Sequence, residues 1–132
     1  MRAMENGGLT RLPPPLLEKA QQVIPASRNN IAHAFRSGVK VAFGTDAAVY
    51  PHGLNAHEFA VMVKLGLTPL QAIQAATVNA ADLLGWTGKV GTVEPGAWGD
   101  IIAVDGDPLK DVTTLERVRF VMKGGEVVRN EY

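Results

Sequence analysis

Residues 39–46, Val-Lys-Val-Ala-Phe-Gly-Thr-Asp, constrain what this chain can fold into more than any other stretch. A short apolar run with β-branched residues, closed by a glycine and two polar residues, predicts a buried strand over 39–43. Such a run suits a parallel sheet covered on both faces better than a hairpin with one wet face. In a parallel barrel the chemistry gathers where the strands end on their C-terminal side, and Asp46 stands at that position. Asp46 also fits an ordinary turn residue, because aspartate side chains readily hydrogen-bond the backbone just beyond them. On these eight residues alone both readings stay open.

The flanking sequence predicts helices. Residues 1–15, with a glycine pair and three consecutive prolines, read as loop. Leu16, Leu17, Ala20, Val23 and Ile24 share one side of a helix that Pro25 interrupts, since proline lacks the amide donor. Ser27 then suits the N-cap of a second helix carrying Ile31, Ala34 and Phe35, ended by Gly38. Beyond Asp46, Asn55 and Glu58 have the spacing of a capping box opening a helix over 56–65. Thr68-Pro69-Leu70-Gln71 has a stronger one, with threonine as cap, proline at the first helical position and glutamine reaching back. The helix it opens carries Leu70, Ile73, Thr77, Ala80 and Leu84 at helical spacing as far as Gly85. Its many alanines allow another element to approach closely.

After Gly88 the pattern changes. Turn-rich sequence leads to strands over 100–105, 118–123 and 126–129, the last two joined by Gly124-Gly125, a two-residue hairpin signal. Gly88 is therefore the expected boundary, dividing the chain into residues 1–88 and 89–132. Three strands with two open edges are marginal by themselves.

Thirteen basic residues balance thirteen acidic ones among 132, so no net field calls for nucleic acid or an anionic membrane surface. The absence of cysteine excludes disulfides and thiolate metal sites. No apolar run approaches a membrane span, and the first thirty residues lack a secretory pattern, so a cytoplasmic location is expected.

Two successions of motifs carry a resemblance. The first is VKVAFGTDA, then PHGLNAHEF and TPLQAIQAATVNAADLLG. The second is GTVEPGAWGDIIAVDGDPLKD, then RVRFVMKGGEVV. Together they resemble the C-terminal end of the metal-dependent amidohydrolase superfamily, in its imidazolonepropionase-like and Xaa-Pro dipeptidase-like branch. The resemblance implies an α/β fold: the end of a (β/α)8 barrel, with residues 39–43 as its eighth strand. Residues 89–132 would then be the C-terminal share of a small β-sandwich. It implies hydrolysis of a C–N bond in a cyclic amide or an Xaa-Pro dipeptide, with a divalent metal, zinc being expected. Asp46 matches the last-strand aspartate that binds metal and accepts a proton from the metal-bound water.

The departures are as informative. The His-x-His pair of the first barrel strand, and the further Lys, Glu or His ligands of the middle strands, have no counterpart in this chain. The expectation is thus the last third of an enzyme, whose main partner is the missing barrel portion. Alone, such a chain would hold no metal, be inactive, and associate with copies of itself. The rival reading is a non-catalytic α/β module that assembles through open strand edges.

Among the remaining candidates, His52 and Tyr50 lie in the loop past Asp46, where substrate contact and a purely structural role both fit. His33, mid-helix, reads as a surface residue, and His57, in a first helical turn, as structural. A zinc site from Asp46, His52 and His57 has suitable chemistry. The two histidines, however, lack the helical i, i+4 spacing that would bring them together. Trp86 and Trp98 read as core or interface fillers.

Overall fold

The computed structural model describes residues 13–47 and 52–132. Helix α1 spans Pro14–Arg36, so it starts two residues before Leu16. Prolines fit a first turn, whose amide groups have no helical partner in any case. The expected break at Pro25 does not occur, and α1 runs through it. An interior proline costs about 3 kcal/mol or more, through one lost hydrogen bond and a ring clash. Gln21, whose carbonyl loses that bond, is exposed, so the loss falls where water can replace the partner. Strong helix formers on both sides (Glu18, Lys19, Ala20, Gln22, Ala26) carry the helix across.

The expected strand over 39–43 is present as an apolar segment without a ladder. Among the described residues it pairs with no strand. A ladder needs a neighbour, and the three strands among the described residues form a sheet of their own. The segment is seated instead on a helix, α3, spanning Pro69–Ala76. The Phe43 amide donates to the Ala75 carbonyl at 2.9 Å. The Asn79 side-chain amide donates to the Val41 carbonyl at 3.0 Å. Between α1 and α3 lies α2, spanning His57–Lys64. Met62, Ala72 and Ala75 form the buried centre, with Phe35, Val41, Phe43, Phe59, Val63 and Leu67 packed around it.

The Thr68 capping box forms as its sequence predicts: the Thr68 hydroxyl accepts from the Gln71 amide, and Gln71 Oε1 accepts from the Thr68 amide. The single helix expected as far as Leu84 is two helices, α3 and α4, the latter spanning Val78–Leu83. Thr77, at φ −122° and ψ −95°, separates them. Its hydroxyl donates to the Ile73 carbonyl at 2.8 Å, and its own amide moves to Gln74. Side-chain competition for a helical carbonyl is a known cause of such breaks. The buried face is the alanine face, Ala72, Ala75 and Ala81, whereas Leu70 and Leu84 are 50% and 65% exposed.

Past Gly88, strands β1 (Ile101–Val104), β2 (Val118–Lys123) and β3 (Glu126–Asn130) form an antiparallel meander in that order. Gly124 and Gly125 both have positive φ, 58° and 84°, matching the backbone of a two-residue turn that follows the strand twist. The Asp100 carboxylate accepts from Lys123 Nζ and the Gly124 amide, both at 2.7 Å. These bonds hold its pKa below the usual carboxylate value. A 3-10 turn, Val112–Glu116, packs against α2, where His57 Nε2 lies 3.3 Å from Glu116 Oε2. Among the described residues, no helix is long and apolar enough to cross a membrane.

Candidate functional site

The candidate site is the end of the 39–46 segment. Two contacts with α2 and the turn before it fix that end. The Phe43 ring stacks on Phe59, with centroids 4.8 Å apart and planes 23° from parallel. Two residues on, the Thr45 hydroxyl accepts from the Asn55 side-chain amide at 2.8 Å. Asn55 Oδ1 in turn accepts from the Gly53 amide at 3.3 Å. The capping box expected from Asn55 and Glu58 is therefore not made: Ala56 takes the N-cap position, without a side-chain hydrogen bond. Asn55 spends both ends of its amide on the loop and on Thr45.

Asp46 follows at once. It is exposed and has φ 48°, the one non-glycine residue with positive φ among those described. Asparagine and aspartate enter this left-handed region more readily than other residues, though at some cost. Residue 46 is left exposed at the segment's C-terminal end.

The other candidates are distributed unequally. His52 is exposed in the turn that precedes α2. Tyr50 lies outside the described residues. His57 is engaged with Glu116, in line with its structural reading. His33 is exposed on α1. No group of three His, Asp or Glu side chains comes together among the described residues, so the Asp46, His52 and His57 set is not assembled. Zinc takes three or four protein donors. These residues therefore do not fit a complete metal centre, and Asp46 can offer one donor to a larger set. Trp86 and Trp98 pack edge to face at 5.3 Å, each on the other, but both stay exposed, so neither fills the core of this chain.

Two clefts flank the 39–43 segment. One, of about 240 Å3, is lined by Phe35, Val39, Val41 and Leu67 among others. The other, of about 300 Å3, is lined by Lys40, Ala42, Asn79 and Leu83 among others. Across the second, Lys40 Nζ reaches Asp82 Oδ2 at 2.6 Å and ties the segment to α4. Both clefts lie beside the segment and not at Asp46.

The profile of the amidohydrolase family matches residues 2–128, nearly the whole chain. The chain belongs to the amidohydrolase family. Members of this family are typically metal-dependent. The ochratoxinase of Aspergillus niger is 38% identical over 101 residues, covering 73% of this chain and 21% of that protein. The imidazolonepropionase of Geobacillus kaustophilus is 31% identical over 139 residues, covering 99% of this chain and 32% of that protein. Among solved structures, an Xaa-Pro dipeptidase with bound methionine in its active site superposes with a TM-score of 0.86 at 41% identity. That likeness covers 90% of this chain and 29% of the dipeptidase. The chain thus spans between a fifth and a third of the length of these amidohydrolases.

Two contacts had no mark in the local sequence, one at the site and one beyond it. Asn55 was legible as a polar residue before a helix, but the partner it chose lies ten residues upstream. The His57–Glu116 pair joins residues far apart in sequence, and no local pattern announces it.

Proposed function

We propose that this chain is the closing third of a metal-dependent amidohydrolase that hydrolyses a C–N bond in a cyclic amide or an Xaa-Pro-type dipeptide. Residues 39–43 are read as the last barrel strand, residues 1–88 as the barrel's end, and residues 89–132 as part of a second, β-sheet domain. The observation that carries the reading is the placement of Asp46. It stands exposed in a left-handed turn at the C-terminal end of an apolar segment seated on α3. That is the side on which parallel barrels place their chemistry. A carboxylate there can accept a proton from the attacking water and deliver it to the leaving nitrogen. Asp46 is also read as one ligand of the divalent metal, with zinc favoured. The other donors are assigned to parts of the enzyme that this chain does not contain. His52, on the same loop, is the proposed substrate contact, with Tyr50 beside it in sequence.

The test is metal-dependent turnover. The full-length protein is expected to hydrolyse members of a panel of Xaa-Pro dipeptides and cyclic amides, to lose that activity on chelation and to regain it with a divalent cation. The 132-residue chain alone is expected to show no turnover and no stoichiometric metal after dialysis. Tightly held zinc in the short chain, or turnover that it alone supports, would contradict the division of ligands. A full-length protein indifferent to chelation would favour the assembly-module reading.

The same reading gives an expectation for association. Val39, 55% exposed, belongs to the 39–43 segment, which has no strand neighbour among the described residues, and Leu83, 74% exposed, lies beside that segment. Unpaired strand edges recruit other strands, and exchanging identical elements is a low-cost route to an oligomer. The 132-residue chain is expected to sediment as a dimer or larger assembly at micromolar concentration. A compact monomer that unfolds cooperatively over a dilution series would count against it.

A further inference from the structure

We infer that Asn55 is the positioning residue that holds the Thr45–Asp46 turn in its left-handed form and thereby aims the Asp46 carboxylate. The inference rests on the proposed role of Asp46 for its effect on catalysis, but not for its structural part. A left-handed aspartate carries backbone strain and persists where its surroundings over-determine it. Here the restraint comes from one side. Phe43 and Thr45, two residues apart, are held by Phe59 and Asn55, four residues apart at the start of α2. In extended backbone, residues two apart point the same way. On a helix, residues four apart lie one above the other, and Asn55 sits just ahead of that first turn. The result is a two-point clamp: a ring stack fixes the segment's height, and a hydrogen bond fixes its final rotation.

Asn55 suits the second point for a chemical reason. Its amide presents donors and an acceptor at once. Nδ2 gives a hydrogen to the Thr45 hydroxyl at 2.8 Å, and Oδ1 takes one from the Gly53 amide at 3.3 Å. The bond therefore ties Thr45 to the turn that precedes α2. Thr45 and Asn55 are both half-buried, which strengthens the bond relative to one in open water. An N-cap role, the ordinary use of asparagine at this place, is left to Ala56, which has no side chain able to perform it. Asn55 gives up helix capping for the turn.

The experiment compares Asn55→Ala, Thr45→Val, their double variant and Asn55→Asp in the full-length protein, with Asp46→Asn alongside. Asn55→Asp keeps the acceptor for Gly53 and can accept from the Thr45 hydroxyl, so it is the conservative rescue. Asn55→Ala and Thr45→Val are each expected to lower kcat by about 10–100-fold with little change in KM, the signature of a displaced reacting group. The double variant is expected to be no worse than either single one, because both remove the same bond. Asn55→Asp is expected to recover most of the loss. Independently of activity, a crystal structure of Asn55→Ala is expected to show Asp46 out of the left-handed region. Should that variant not fold, the structure of Thr45→Val serves the same purpose. Asp46 remaining at positive φ in either structure, or fully additive kinetic losses, would overturn the inference. If Asp46→Asn itself retains turnover, the proposed role of Asp46 fails. The crystal structure then still decides whether Asn55 sets the turn.

Discussion

Asp46→Asn in the full-length protein is expected to keep the fold and metal-free stability while losing turnover by about 10²–10⁴-fold, the usual cost of removing a general base. Asparagine preserves the shape of the side chain and one acceptor oxygen, and it tolerates the left-handed backbone as well as aspartate does. The φ of 48° therefore gives no reason for the variant to misfold. What it loses is the capacity to accept a proton at neutral pH. Any weakening of metal binding would add to the loss. Steady-state kinetics with metal content measured on the same samples provides the check. A kcat like that of the parent, at full metal occupancy, would remove Asp46 from the chemistry.

The largest structural effect is expected at Gly91. It has φ +90°, and a Cβ there would lie 2.9 Å from both the carbonyl carbon and oxygen of Thr77 and 3.2 Å from Ala81 Cβ. Neither Thr77 backbone atom is the free end of a flexible side chain. They belong to the break between α3 and α4, where the Thr77 hydroxyl and amide are already committed to Ile73 and Gln74. Gly91→Ala therefore combines a left-handed penalty of about 1–2 kcal/mol with an overpacking penalty of about 1–3 kcal/mol. Against a total stability of about 5–15 kcal/mol, that is a substantial fraction. Gly88→Ala is the matched control, since Gly88 has φ +77° with open space around its Cβ position. Urea midpoints of the two variants should separate, with Gly91→Ala the lower. Equal losses would mean that the close approach at Thr77 carries no weight.

How much of this could be read from the sequence depended on how local the decisive interaction was. The Thr68-Pro69-Leu70-Gln71 cap and the Gly124-Gly125 hairpin involve neighbours in sequence and formed as expected. The alanines of α3 and α4 were legible as a surface for close packing, and the 41–43 segment does rest on them. The strand character of residues 39–43 was not realised, because pairing belongs to two strands and the described residues offer the segment no partner. Pro25 marked a break that the helix formers around it overrode. Thr77 looked like one more residue on a helical face. Its hydroxyl captured the Ile73 carbonyl and split the helix, a competition that spacing cannot show. Asn55 had the sequence mark of a cap, yet Thr45 outbid the helix end for its amide. That the apolar run closes in a turn at Asp46 was legible through its glycine, hydroxyl and carboxylate, although the left-handed backbone was not.

In its proposed role Asp46 supplies one donor of a metal centre completed by other parts of the full-length protein. A crystal structure of the full-length protein, with anomalous diffraction to locate bound metal, tests it most directly. The expected result is a divalent metal with an Asp46 carboxylate oxygen at about 2.0–2.2 Å, the usual zinc–oxygen distance, and further donors from residues outside this chain. A metal bound elsewhere in the protein, with the Asp46 carboxylate facing only solvent, would contradict it.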